Sequence, residues 1–208
     1  MKRGILGGTF NPIHNGHMML AFGALKKFKL DEVRFLPNGN PPHKQNERIS
    51  TSVEARMEMV QLAIDEVTRS ETEKAFVLDD YEGKRAEISC TCDTLEYFSK
   101  IYSDDALYFI IGADSLEAMD TWVHPERIFP LCTVLAAYRD DLDTPKEMYN
   151  IINHLKRKYD GKIKLLRVPL LPISSHEIRR KIARGESVRG LLPESVEEYI
   201  IKNKLYQE

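Results

Sequence analysis

A doubly wound parallel α/β sheet with helices on both faces is the fold class this sequence predicts, on three observations. Short apolar runs alternate with longer amphipathic segments along most of the chain, which is a repeating β-then-α pattern. The first run, Ile5-Leu6, leads directly into a glycine-rich turn and a helical segment, Gly7-Gly8-Thr9-Phe10-Asn11-Pro12-Ile13-His14-Asn15-Gly16-His17. The remaining Gly-, Pro- and Ser-rich stretches also follow strands, at the sheet end where open α/β folds take their ligands.

The elements follow in order. Gly4–Gly7 is expected to be the first strand and Asn15–Phe28 the first helix. Glu32–Leu36 alternates and reads as the second strand. Asn38-Gly39-Asn40-Pro41-Pro42-His43-Lys44 is a loop, since Pro removes donors and Gly frees φ. Thr51 with Glu54 three residues on forms a capping box. Behind it Val53, Met57, Val60, Ile64 and Val67 recur at helical spacing to about Arg69. Ser70–Lys74 is a polar turn, Ala75–Leu78 a short strand, and Asp79–Glu87 a charged, exposed connection. Ile88–Cys92 carries little signal, and Thr94–Tyr102 reads as a helix capped by Asp93 or Thr94.

Ala106–Ile111 is a buried strand with aromatic content. Gly112-Ala113-Asp114-Ser115 follows it, then helical turns at Leu116–Met119 and Glu126–Phe129 on either side of the loop Trp122-Val123-His124-Pro125. Thr133–Ala137 is a strand. Thr144-Pro145-Lys146-Glu147 is a second capping box, with Pro at the first helical position. Its helix buries Met148, Ile151, Ile152 and Leu155. Ile163–Val168 is the last strand, and Pro169–Pro172 breaks the pattern. Ser174-Ser175-His176-Glu177 caps a helix to about Arg184, Gly185 ends it, and Glu194–Asn203 is the final helix. The expected architecture is Rossmann-like, one domain over 1–208. Residues from about 173 onward form a small C-terminal helical lobe at the sheet edge.

Composition narrows the function. The chain has 208 residues, 30 Lys plus Arg against 32 Asp plus Glu, and a formal charge of −2, which gives bulk electrostatics no grip on nucleic acid or membranes. Cys90, Cys92 and Cys132 are an odd set with no zinc-knuckle spacing, so a reducing, cytoplasmic setting is expected. No apolar run approaches membrane-spanning length. A homo-oligomer is compatible with this composition.

The chemistry concentrates in two stretches. A strand, a glycine turn and a helix start present backbone amides to phosphate. Gly8, Thr9 and Phe10 line that turn, while His14 and His17 stand three apart at the helix start, each able to meet a phosphate oxygen. The second stretch is Ser174-Ser175-His176-Glu177-Ile178-Arg179: free amides at a helix start, with Arg179 one turn in. Alone, it reads equally as a capped helix with a solvated basic face. Gly112 and Asp114 lie at a strand end, where Asp114 could accept from a ribose hydroxyl, assist a metal, or simply cap the next helix. Trp122, in a polar loop, offers a flat face for ring stacking or folds back over the sheet. Arg139 is a weaker phosphate candidate.

The first stretch resembles the signature of the His-x-Gly-His nucleotidyltransferase superfamily. The second is similar to that superfamily's Ile-Ser-Ser-Thr-x-Ile-Arg segment, with His176 in place of the usual Thr. The chain as a whole resembles bacterial nicotinate-nucleotide adenylyltransferases. Asn38 to Lys44 is similar to their Pro-Pro-His-Lys loop. Ser89-Cys90-Thr91-Cys92-Asp93-Thr94-Leu95 is similar to their Ser-Tyr-Thr-x-Asp-Thr-Leu stretch, with Cys90 replacing Tyr. Ile111-Gly112-Ala113-Asp114 and Thr121-Trp122 also match.

The resemblance implies adenylyl transfer from ATP to nicotinate mononucleotide. In that reaction His14, His17 and Arg179 are catalytic, and Gly8, Thr9, Phe10, Gly112, Asp114, Ser174 and Ser175 help bind ATP. Asn38, Lys44, Thr91, Trp122 and Arg139 face the acceptor, and Mg²⁺ bridges phosphate oxygens. Other superfamily transferases, of phosphopantetheine or cytidylyl groups, and a non-catalytic nucleotide sensor are the alternatives.

Overall fold

The computed structural model describes residues 1–39, 51–70, 75–85, 87–138, 145–168 and 172–207. Lys44, Arg139, Thr144 and most of the expected turns at 40–44, 70–74 and 169–172 lie outside them.

Six strands form one parallel sheet: β1 (Lys2–Gly8), β2 (Glu32–Pro37), β3 (Phe76–Leu78), β4 (Ala106–Gly112), β5 (Thr133–Tyr138) and β6 (Lys162–Arg167), in the order β3-β2-β1-β4-β5-β6. The order reverses direction between β1 and β4, as in doubly wound folds. Helices α1 (Asn15–Phe28) and α2 (Val53–Ser70) cover one face. Helices α3 (Thr91–Ile101), α4 (Ala113–Glu117) and α5 (Pro145–Tyr159) cover the other. Alternation along each strand divides the core: Leu6 and Phe35 face the first set, Ile5 and Leu36 the second. Met148, Ile152 and Leu155 are buried as expected, and Ile151 is half-buried.

The last two helices, α6 (Ser175–Ala183) and α7 (Glu194–Lys202), add Ile178, Val196 and Ile200 to the core shared by α1 and α2. Glu66 of α2 supplies the cap that α7 lacks in its own sequence. Its carboxylate accepts from the Ser195 amide at 2.8 Å and the Glu194 amide at 3.2 Å. A carboxylate at a helix N-terminus satisfies open amides and opposes the helix dipole.

Three expectations are corrected. The cap of α2 is Ser52, whose Oγ accepts from the Ala55 amide at 3.2 Å, while Thr51 is buried. Helix α3 begins at Thr91 after Cys90, three residues early, because Thr94 turns inward and Asp93 pairs outward with Arg127 at 2.9 Å. Residues 79–87 are not uniformly exposed: Glu82 is only 7% exposed.

Close packing of α1 on the sheet depends on Gly23, where a Cβ would lie 2.0 Å from Val168 Cγ1. A branched side chain yields little space, so Gly23→Ala is expected to cost about 2 kcal/mol by overpacking. Urea unfolding of the two proteins measures it.

Candidate active site

The sheet opens where its order reverses. Strands β1 and β2 stay in register as far as Gly8 opposite Pro37, and β4 and β5 as far as Gly112 opposite Ala137. Between β1 and β4 the ladder ends at Ile5 opposite Phe109, so the carboxyl ends of these two strands part. A Cβ at Gly112 would meet nothing within 4 Å, which leaves open space beside the strand end.

The loop from Thr9 to His14 lies at the mouth of this gap, and its carbonyl groups are held from the protein side. Arg56 Nη1 donates to the Thr9 carbonyl at 2.6 Å and Arg179 Nη1 to the Asn11 carbonyl at 2.7 Å. Ser175 Oγ donates to the Pro12 carbonyl at 2.8 Å, and Tyr206 Oη to Asn11 Oδ1 at 2.7 Å. Asn15 closes the far side, its Nδ2 donating to the Gly190 carbonyl at 2.9 Å. Thus α6, remote in sequence, docks through its first turns onto the glycine-rich loop.

Within the loop, Phe10 takes φ 47° and is buried, its ring edge-on to His17 at 5.0 Å. A left-handed phenylalanine costs about 1–2 kcal/mol, which its burial against His17 and Phe35 offsets. The Asn11–Pro12 peptide is cis.

His14 and His17 stack face to face at 3.7 Å. The His14 amide donates to His17 Nδ1 at 3.2 Å. A neutral imidazole accepts at one nitrogen and donates at the other, so His17 carries its proton on Nε2. Burial lowers the His14 pKa to about 4, and burial and then His14 itself hold His17 well below its ordinary value. Both rings are therefore neutral at pH 7 and offer N–H groups rather than charge. Gly16 completes the pair, because a Cβ there would sit 3.0 Å from His14 Nδ1. Among the described residues that Nδ1 is buried without a hydrogen-bond partner.

The other candidates are placed as follows. Ser174 is the N-cap of α6 and accepts from the Glu177 amide at 3.2 Å, as the sequence indicates. Asp114 is exposed in the first turn of α4. Asn38 follows β2, its amide donating to the Gly8 carbonyl at 3.0 Å, with its Oδ1 buried and, among the described residues, without a hydrogen-bond partner. Thr91 opens α3. Trp122 is half-buried, with Phe109 at 6.0 Å in an edge-to-face contact, so its ring leans on β4 rather than standing free. Among the described residues no three His, Cys, Asp or Glu side chains gather as a metal cage, and no helix is long and apolar enough to cross a membrane.

Arg56 and Tyr206 were missed in the sequence. Arg56 left a signal: it sits three after Val53 and four before Val60, on the apolar stripe of α2, where a charge needs a buried partner. Tyr206 left none.

The cytidylyltransferase-like family model matches residues 5–181. A protein of Lachnoclostridium phytofermentans named "Probable nicotinate-nucleotide adenylyltransferase" is 40% identical over 99% of this chain and 98% of its own length. One of the same name from Clostridium acetobutylicum is 40% identical over the same shares. The chain belongs to the cytidylyltransferase-like family, on the nicotinate-nucleotide adenylyltransferase branch. A solved structure titled Plasmodium falciparum nicotinic acid mononucleotide adenylyltransferase complexed with NaAD has a TM-score of 0.80 at 20% identity. It covers 99% of this chain and 98% of its own and shows the same fold. In this family setting the paired histidines, the parted strands and the docked α6 occupy one rim of the sheet.

Stability is expected to fall with acid through His14. Its folded pKa is about 4 against 6.5 for the free group, so the unfolded chain binds more protons between those values. The contribution is intact above about pH 6.5 and declines by about 3 kcal/mol as pH falls through 4. His14→Gln should make that part of a stability-versus-pH curve measured by urea unfolding shallower, the remainder belonging to the buried His17.

Proposed function

We propose that this protein transfers the adenylyl group of ATP to nicotinate mononucleotide, giving the deamido dinucleotide and pyrophosphate. One observation carries the reading: α6 is fastened to the glycine-rich loop through Ser175 and Arg179 at the opening between β1 and β4. The two stretches suited to phosphate thereby share one rim. Relatives of that name at 40% identity over nearly the full chain support the choice of substrates.

In this reading the acceptor's phosphate oxygen attacks the α-phosphorus in line. The new P–O bond forms as the bond to the pyrophosphate oxygen breaks, and pyrophosphate leaves with that electron pair. The acceptor is already an anion, so the protein needs no nucleophile of its own. Its part is to align two repelling polyphosphates and stabilise the developing charge. The neutral His17 suits this, since an Nε2–H aimed at the α-phosphoryl group strengthens its bond as charge builds. His14 would support the same phosphates, while Arg179 and the α6 amides would take the β and γ groups. Magnesium enters as part of the ATP complex and neutralises phosphate oxygens. On the acceptor side Trp122 would stack on the pyridine ring, and Asn38 and Thr91 would supply polar contacts.

Pyrophosphate release with ATP and either nicotinate or nicotinamide mononucleotide tests the proposal. Turnover with the nicotinate form is expected, and no release with either acceptor overturns the reading. His17→Ala should lower kcat by about 10²-fold, the scale of one lost donor to a developing oxyanion. Unchanged kcat removes His17 from the mechanism. Trp122→Ala should raise the acceptor KM well above any change in the ATP KM, and equal changes argue against stacking.

A further inference from the structure

We infer that Glu82 is a positioning residue that locks the Asn38-Gly39 turn and the start of α3 into one unit, and so holds the acceptor side of the cleft; this rests on the reading of that cleft given above. The sequence marks residues 79–87 as a solvated connection. The structure instead drives this segment, Asp79 to Arg85, between the end of β2 and the start of α3.

Its grip on the β2 side is backbone against backbone. A Cβ at Gly39 would lie 2.6 Å from the Glu82 carbonyl oxygen and 3.2 Å from that of Arg85, a closeness only glycine permits. Gly83 lies against the end of β2 less tightly: a Cβ there would meet the flexible Met57 side chain at Sδ, 2.7 Å away, and the Pro37 carbonyl oxygen at an ordinary 3.5 Å. On the α3 side the grip is one buried hydrogen bond: Thr94 Oγ1 donates to Glu82 Oε1 at 2.6 Å. Asp79 anchors the base of the turn, accepting from Arg34 Nη1 at 2.8 Å and from the Tyr81 amide at 3.0 Å.

Thr91 and Asn38, the polar acceptor candidates, thus sit on segments that meet through Glu82. Among the described residues two polar side-chain atoms near the same turn are buried without a hydrogen-bond partner, Asn38 Oδ1 and Ser89 Oγ. Native interiors seldom leave such atoms unpaired unless something else satisfies them. Glu82 itself has its partner within the protein, which fits support of the site rather than contact with substrate. Burial pushes its carboxyl up to about 7, against the Thr94 hydrogen bond and Arg85, with Asp79 adding to the rise.

Thr94→Val removes the hydroxyl donor at nearly constant shape, and Thr94→Ser returns it. For Thr94→Val the KM for nicotinate mononucleotide should rise about tenfold, the scale of one lost buried hydrogen bond, with the ATP KM little changed. Thr94→Ser should restore the wild-type value. Amide hydrogen exchange without substrate gives a second readout: Asn38, Gly39 and Thr91–Asp93 should all exchange faster in Thr94→Val. Equal rises in both KM values, no rise in either, or unaltered exchange at Asn38 and Gly39 overturns the inference. If the wild-type protein does not turn over nicotinate mononucleotide, the functional reading falls, and the exchange comparison still decides whether Glu82 joins the two segments.

Discussion

The hold on the carbonyl side of residues 9–12 is the interaction on which the rest of this structure depends. Two guanidinium groups and one hydroxyl take three carbonyl oxygens of a four-residue stretch, and a phenol takes the Asn11 side chain. In a planar trans peptide the N–H points opposite to the C=O. Engaging the Thr9 and Pro12 carbonyls from below therefore turns the Phe10 and Ile13 amides away from those donors. A short irregular loop is thereby given a fixed polarity, which a phosphate site requires and a solvated loop could not maintain.

That hold has a cost, and the fold meets it locally. Arg56 is buried with its Nε lacking a hydrogen-bond partner among the described residues, and desolvation lowers its pKa. Removing such a group would take from the Thr9 carbonyl its guanidinium donor and leave a cavity in the core, the costlier state. Tyr206 is placed beside Arg56 and Arg179 near the end of the described chain, and burial pushes its phenol up to about 12, so it remains a neutral donor at working pH. The histidine pair follows the same logic. Burial strips both rings of charge, and their stacking, with Gly16 beneath, fixes the direction in which His17 presents Nε2.

The two cores explain why the cleft lies where it does. Helices α1 and α2 fold back over one face as the chain moves from β1 to β3. The chain then crosses to β4, on the far side of β1, and α4 and α5 cover the opposite face. Connections leaving β1 and β4 thus run to opposite faces, and no described residue pairs with both strand ends between them. Among the central pairings the ladder between β1 and β4 is the one that stops short of the strand ends, and the residues that follow β1 and β4 leave the sheet there.

Much of this was legible in the residues. Apolar periodicity located all six strands and the full extent of α1, because a half-buried surface imposes its own spacing on the chain. Gly7-Gly8 and His14-x-Gly16-His17 announced the glycine-rich loop proposed to face phosphate, since each residue type there answers a local need. What periodicity cannot record is who meets whom across the chain. That Arg179 holds Asn11, that Arg56 lies under Thr9, that Glu82 is interior and bound to Thr94, and that Trp122 leans on Phe109 are facts of long-range packing. So is the neutrality of the two histidines, because burial rather than sequence sets their protonation. The sequence by itself determined the layers, the strand ends and the residue types available for chemistry. Only the tertiary structure decided their partners, directions and charge states, because those depend on which distant groups exclude water from each other.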